Sequence, residues 1–73
     1  MTTKEARLLS NPLRVQILRA ITTGAVTTRQ LSKQMGRSLA AVSYHAAALC
    51  RAGYVRIAPE HGDSGANALY EVG

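Results

Sequence analysis

The sequence predicts a mainly helical α+β domain in the order helix, helix, short strand, helix, helix, strand, strand, and three observations carry that prediction. Apolar residues from Leu8 to Cys50 recur at three- and four-residue spacing, as helices with one buried stripe require. Asn11-Pro12, Thr27-Thr28-Arg29-Gln30 and Ser38 read as helix starts, and Gly24, Gly36 and Gly53 as stops. Beyond Gly53, Tyr54 to Pro59 and Ala68 to Val72 read as two strands around a polar loop, Glu60 to Asn67, which holds Gly62 and Gly65.

The first helix is short, capped by Thr2 or Thr3 and running through Leu9, with Ala6, Leu9 and Leu8 on its apolar side and Lys4 and Arg7 in water. Asn11 suits the cap of the second, and Pro12 its first position, where no amide bond is lost. Leu13, Ile17, Leu18 and Ile21 then point inward and Arg14 and Arg19 outward, until Gly24 stops the helix near Thr22 or Thr23. Ala25-Val26 offers a brief extended piece able to join a small sheet.

Thr27 and Gln30 have the spacing of a capping box, each side chain reaching the other's amide, so a third helix begins there. Leu31 and Met35 lie on its inner side, Arg29 and Lys33 on its outer side, and Gly36 closes it. After the two-residue turn Gly36-Arg37, Ser38 caps a fourth helix that continues to Arg51 without Gly or Pro. Its inward stripe is Val42, Ala46 and Leu49, with Leu39 and Cys50 beside it. Its outward face carries Ala40, Tyr44, Ala47 and Arg51, flanked by Ser43 and Ala48. Gly53 ends this helix in the left-handed region. Val55 and Ile57, with Tyr70 and Val72, are placed to cover the helices from the hairpin.

Seventy-three residues are expected to form a single domain spanning 1–73, and a chain of this length buries only roughly 60% of the surface its unfolded form exposes. The hydrophobic fraction of 47% is built from Ala, Leu, Val and Ile, with three Tyr and neither Trp nor Phe, which suits closely crossed small helices. Nine Lys and Arg against four Asp and Glu give a net charge of +5, and the economical partner for that excess is a polyanion, with nucleic acid ahead of a membrane surface. One cysteine excludes an internal disulfide framework and a multi-thiolate zinc site. No stretch approaches the roughly 20 apolar residues that cross a bilayer, and the amino end lacks an apolar signal region, so a cytoplasmic location is expected, with no membrane association.

Enzyme chemistry has little footing. The carboxylates, two histidines and one thiol never pair at a spacing that sets an acid and a base on one face, and no Gly-rich loop lies between a strand and a helix. Two helices joined by a short Gly-containing link, the second longer and presenting a smooth outer face, have instead the form of a helix-turn-helix.

From about Leu8 to Val72 the residues also resemble a known family. LSNPLRVQILRAI is similar to the second helix of winged helix-turn-helix transcriptional regulators of the ArsR-like type. TTRQLSKQMG resembles their positioning helix, AVSYHAAALCRAGYV their recognition helix and following strand, and ALYEV their second wing strand. The resemblance implies a DNA-binding transcriptional repressor, working as a dimer, that lays one recognition helix per half-site into the major groove. It implies no cofactor and no metal here: the family's metal sensors carry paired thiols in the positioning helix, where this chain has Gln30, Ser32 and Lys33. No helix follows the wing to carry the family's usual dimer contact, so a homodimer is expected through the first helices, around Ala6 to Leu9. The wing tip offers Glu60 and Asp63, with His61 as its one candidate cation, where phosphate would favour Lys or Arg.

On this reading Arg29, Lys33 and Arg37 meet phosphates of double-stranded DNA, Arg51 does so near the helix end, where it also suits the helix dipole, and Arg56 sits at the base of the wing. The helix from Ser38 to Arg51 enters the groove. Ser43 and Tyr44 reach base edges there, and the methyls of Ala40 and Ala47 meet thymine methyls. His45, on the flank of the buried side, is expected to be a packed, hydrogen-bonded residue. The alternative is a winged-helix protein-interaction module that docks a partner on the same alanine-rich face.

Overall fold

The computed structural model describes residues 3–58 and 67–73. Among these described residues four helices and three strands follow in the expected order: α1 Thr3–Leu9, α2 Pro12–Thr23, β1 Val26–Thr27, α3 Thr28–Met35, α4 Leu39–Arg51, β2 Val55–Ile57 and β3 Leu69–Val72. This is a winged helix-turn-helix.

Local chemistry sets the helix ends. The Asn11 side chain accepts from the amides of Leu13 and Arg14, with Pro12 at the first helical position. Thr27 and Gln30 form the full capping box: the Gln30 amide donates to Thr27 Oγ1 at 3.1 Å, and the Thr27 amide to Gln30 Oε1 at 2.8 Å. Ser38 Oγ accepts from the Ala41 amide at 3.1 Å to open α4. At its other end Gly53, at φ 86°, donates to Cys50 O while the Tyr54 amide donates to Leu49 O, both at 3.0 Å. That paired closure needs a left-handed residue and turns the chain directly into β2.

The antiparallel sheet has the order β1-β3-β2. Val26 faces Tyr70 and Thr27 faces Leu69 on one side of β3, while Val55, Arg56 and Ile57 face Val72, Glu71 and Tyr70 on the other. The core joins Ile17 and Ile21 of α2, Leu31 of α3, Val42, Ala46 and Leu49 of α4, Val55 and Tyr70. Each fully buried aliphatic side chain here contributes about 1.5–3 kcal/mol relative to its exposed state. Because α4 packs on α2, α3 and β2 at once, its outer face is fixed relative to the whole domain.

Tertiary contacts correct several expectations from periodicity. Arg14 does not point into water: it is half-buried and bonded to His45. Ala6 is exposed, and α1 meets the core through Leu8 and Leu9. Ala48, expected on the outer flank of α4, is buried at 8% exposure, because three elements pack on this helix and enclose more than its apolar stripe. The strand after α2 is Val26–Thr27 rather than Ala25-Val26, so Thr27 both ends β1 and caps α3. Ile57 and Val72 share the sheet face of Val55 and Tyr70 but lie at opposite corners of the hairpin, and remain 46% and 53% exposed. Thr28, not singled out by sequence, is wholly buried, and its amide donates to Ala68 O, tying the start of α3 to the start of β3. The expectations for Thr2, Pro59 and the wing tip with Glu60, His61 and Asp63 fall outside the described residues.

Candidate nucleic-acid interface

The turn between α3 and α4 is fixed by one serine. Gly36 takes φ 63° and its amide donates to Ser32 O, as does the Arg37 amide at 3.2 Å. The Ser32 hydroxyl in turn donates to Arg37 O. Both backbone polar groups of Arg37 are thus held by Ser32, leaving its exposed side chain free of any structural duty. Sequence reasoning passed over Ser32; its place five residues before the helix-turn-helix junction was the only trace.

Around this turn lie the expected contact residues. Arg29 and Lys33 are exposed one turn apart on α3, and Arg37 and Ser38 are exposed at the entry to α4. The Ser38 oxygen accepts one bond as the cap and can still offer outward its hydroxyl proton and a second lone pair. Along α4, Ala40, Tyr44 and Arg51 are exposed, while Ser43 and Ala47 are half-buried at the margin. With Ala48 buried, the face is narrower than periodicity implied, a stripe rather than a broad flat surface. Tyr44, at 62% exposure, dominates it.

The electrostatics of this surface are one-sided. Between Glu5 and Glu60 the chain carries no Asp or Glu at all, so α2, α3 and α4 contain cations but no carboxylate of their own. Arg56 sits apart from this group. It is on the sheet face away from Val55 and donates from Nη2 at 2.9 Å and Nε at 3.2 Å to Glu71 Oε2, its charge matched across the strand pair. The structure therefore assembles Arg29, Lys33, Arg37, Ser38, Ala40, Ser43, Tyr44, Ala47 and Arg51 on the α3–α4 unit, whereas Arg56 is engaged within the hairpin.

His45 lies just behind the stripe. Its Nδ1 accepts from Arg14 Nε at 3.0 Å, and its ring meets that of Tyr44 edge-on, with centroids 5.2 Å apart at 76°. Burial and then the Arg14 charge hold its pKa below the usual value, so the ring is neutral at pH 7 with its proton on Nε2. Burial pushes the half-buried Cys50 thiol up, against the weaker opposite pull of Arg51, which keeps it protonated and a poor nucleophile. Among the described residues no three His, Cys, Asp or Glu side chains come together where they could hold a metal ion, and no helix is long and apolar enough to cross a membrane.

The overall architecture is shared with solved structures. Reduced HlyU from Vibrio cholerae superposes with a TM-score of 0.78 at 25% identity, over 94% of this chain and 68% of that one. The homodimeric winged helix-turn-helix DNA-binding domain of Mb0332 from Mycobacterium bovis, described as a possible ArsR-family transcriptional regulator, gives a TM-score of 0.78 at 23% identity, over 94% of this chain and 60% of that one. No curated protein matches the chain. The ArsR resemblance drawn from its motifs thus holds at the level of the winged-helix architecture, and the family whose sequence profile fits is another: that of the MarR family matches residues 6–64, and the chain belongs to the MarR family.

Proposed function

We propose that this MarR-family chain is a DNA-binding transcriptional regulator, acting as a repressor in the manner of ArsR-like proteins, with residues 1–73 forming one DNA-binding domain. In this reading α4 enters the major groove, Arg29, Lys33 and Arg37 hold phosphates beside it, and Ser43, Tyr44, Ala40 and Ala47 face the bases. The observation that carries the reading is the acid-free helix-turn-helix surface: exposed cations on α3 and at the entry to α4, with no carboxylate between Glu5 and Glu60. Such a surface gains from counterion release on a polyanion, and among the described residues no acid pairs with it to compete. Arg51 adds to the far end of the stripe. The protein works as a homodimer, as the M. bovis domain is described to do, through α1, whose Ala6 and Arg7 remain exposed while Leu8 and Leu9 pack on the chain's own core.

Fluorescence anisotropy on a generic duplex at rising salt, with solution mass measured alongside, tests this. Binding is expected to fall steeply with salt, and replacing Arg29 and Arg37 together by Ala should reduce the logarithmic salt slope by about two while weakening all sequences alike. An unchanged slope removes these residues from the interface. Binding that survives high salt and is lost on Ala40→Glu points instead to a protein partner on the same face.

A further inference from the structure

Tyr44 is the largest exposed side chain on α4, yet the helix gives it almost nothing to lean on. Its neighbours at three and four residues in either direction are Ala40, Ala41, Ala47 and Ala48, whose methyl groups are too short to brace a phenol ring. The ring contact it does make is with His45. That imidazole is anchored in turn by Arg14, reaching across from α2, through the 3.0 Å bond from Nε to Nδ1. A half-buried arginine on a helix without a carboxylate of its own, bonded to a neutral imidazole, is an unusual use of a cation, and the DNA surface described above does not account for it.

We propose that Arg14 and His45 are positioning residues that hold the Tyr44 ring in the pose that reads bases, and that protonation of His45 releases it. This rests on the DNA-binding reading and adds to it a determinant of sequence selectivity and a dependence on pH. The proton enters from solvent at Nδ1, the ring nitrogen that carries none. Arg14 Nε–H then meets a donor instead of an acceptor, and two cations stand in contact. Among the described residues no acid on α4, or on the elements packed against it, relieves the clash. Of the elements packed on α4, α2 brings Arg14 and the exposed Arg19, α3 brings the exposed Arg29 and Lys33, and β2 brings Arg56, which is paired with Glu71; α4 itself adds Tyr44, Cys50 and Arg51. The lowered pKa of His45 has the matching sign: the folded state resists the proton, so the bonded arrangement is favoured above about pH 6.5 and weakens as pH falls below it.

Protonation also adds a cation near the DNA and tends to strengthen binding to any sequence, so the decisive quantity is a ratio. Duplexes would be selected from a random pool at about pH 7.5, and affinity for a selected duplex against a scrambled one measured from there to about pH 5.5, for the native protein, Arg14→Gln and His45→Gln. In the native protein the ratio is expected to fall about tenfold or more across that range, the worth of one base contact, while scrambled-duplex affinity holds or rises. In both variants the ratio should be low at the upper pH, and in His45→Gln it should not change with pH. Free of DNA, the Tyr44 ring resonances should move with the His45 titration, a readout that stands even where a variant fails to fold. Still Tyr44 resonances overturn the proposal, and so does native selectivity at the upper pH in a folded His45→Gln. Binding without enrichment, or a pH-independent native ratio, overturns it while leaving the DNA reading intact; no binding to the pool at either pH overturns both.

Discussion

The α3–α4 unit and the hairpin both display arginines, but they use them differently. On the helices Arg29, Lys33 and Arg37 are exposed in a stretch of chain without a carboxylate. On the hairpin Arg56 is tied to Glu71 by two hydrogen bonds. The same residue type thus serves as an outward charge in one region and as a cross-strand link in the other, and counting basic residues would treat them alike. What separates them is register: Arg56 and Glu71 are directly opposed on β2 and β3, close enough to pair, whereas α3 and α4 contain no acid of their own.

The largest perturbation tests whether the two regions stand or fall together. Leu49 is fully buried in α4, the helix that touches α2, α3 and β2, so Leu49→Ala should cost about 2–5 kcal/mol and lower the urea midpoint in one transition seen alike by probes on helices and hairpin. Separate transitions would show that the hairpin folds apart from the helices. A smaller change touches the helical side alone. Ser38→Ala removes the cap of α4 and should cost about 1 kcal/mol by denaturant unfolding, while amide exchange of the β2–β3 pair keeps its order relative to the core.

The smallest change erases the contrast itself. Glu71→Gln removes the acid opposite Arg56 and should lower stability by at most about 1 kcal/mol, since the pair is surface-exposed. The logarithmic salt slope of DNA binding should steepen by up to about one if the hairpin lies near phosphate, and stay as it was if only the helices do. Either result places the hairpin relative to the duplex.

Much of this architecture was legible because its punctuation is local. Asn11-Pro12, the Thr27–Gln30 box, Ser38 and Gly53 each act within a few residues, and each appears in the structure as its chemistry requires. Periodicity likewise found Ile17, Ile21, Leu31, Val42, Ala46 and Leu49. It failed where burial depends on how many elements converge. Ala48 is a small residue on a nominally outer flank that three neighbours enclose, and Ile57 and Val72 have the right alternation yet stay exposed at opposite corners of the hairpin. The quoted motifs form the helix-turn-helix and the strand junction, and so speak for an architecture common to more than one regulator family; the MarR match, over residues 6–64, takes in most of the same motifs.

By itself the sequence determined where the helices start and stop, the core stripe of α2 to α4, and that an acid-free basic stretch spans those three, because capping, periodicity and charge are set by residues close in the chain. Only the tertiary structure decided which cations remain outward. Arg14 meets His45 across 31 residues and Arg56 meets Glu71 across 15, and pairings at such separations follow from helix packing and strand register, which no local spacing encodes.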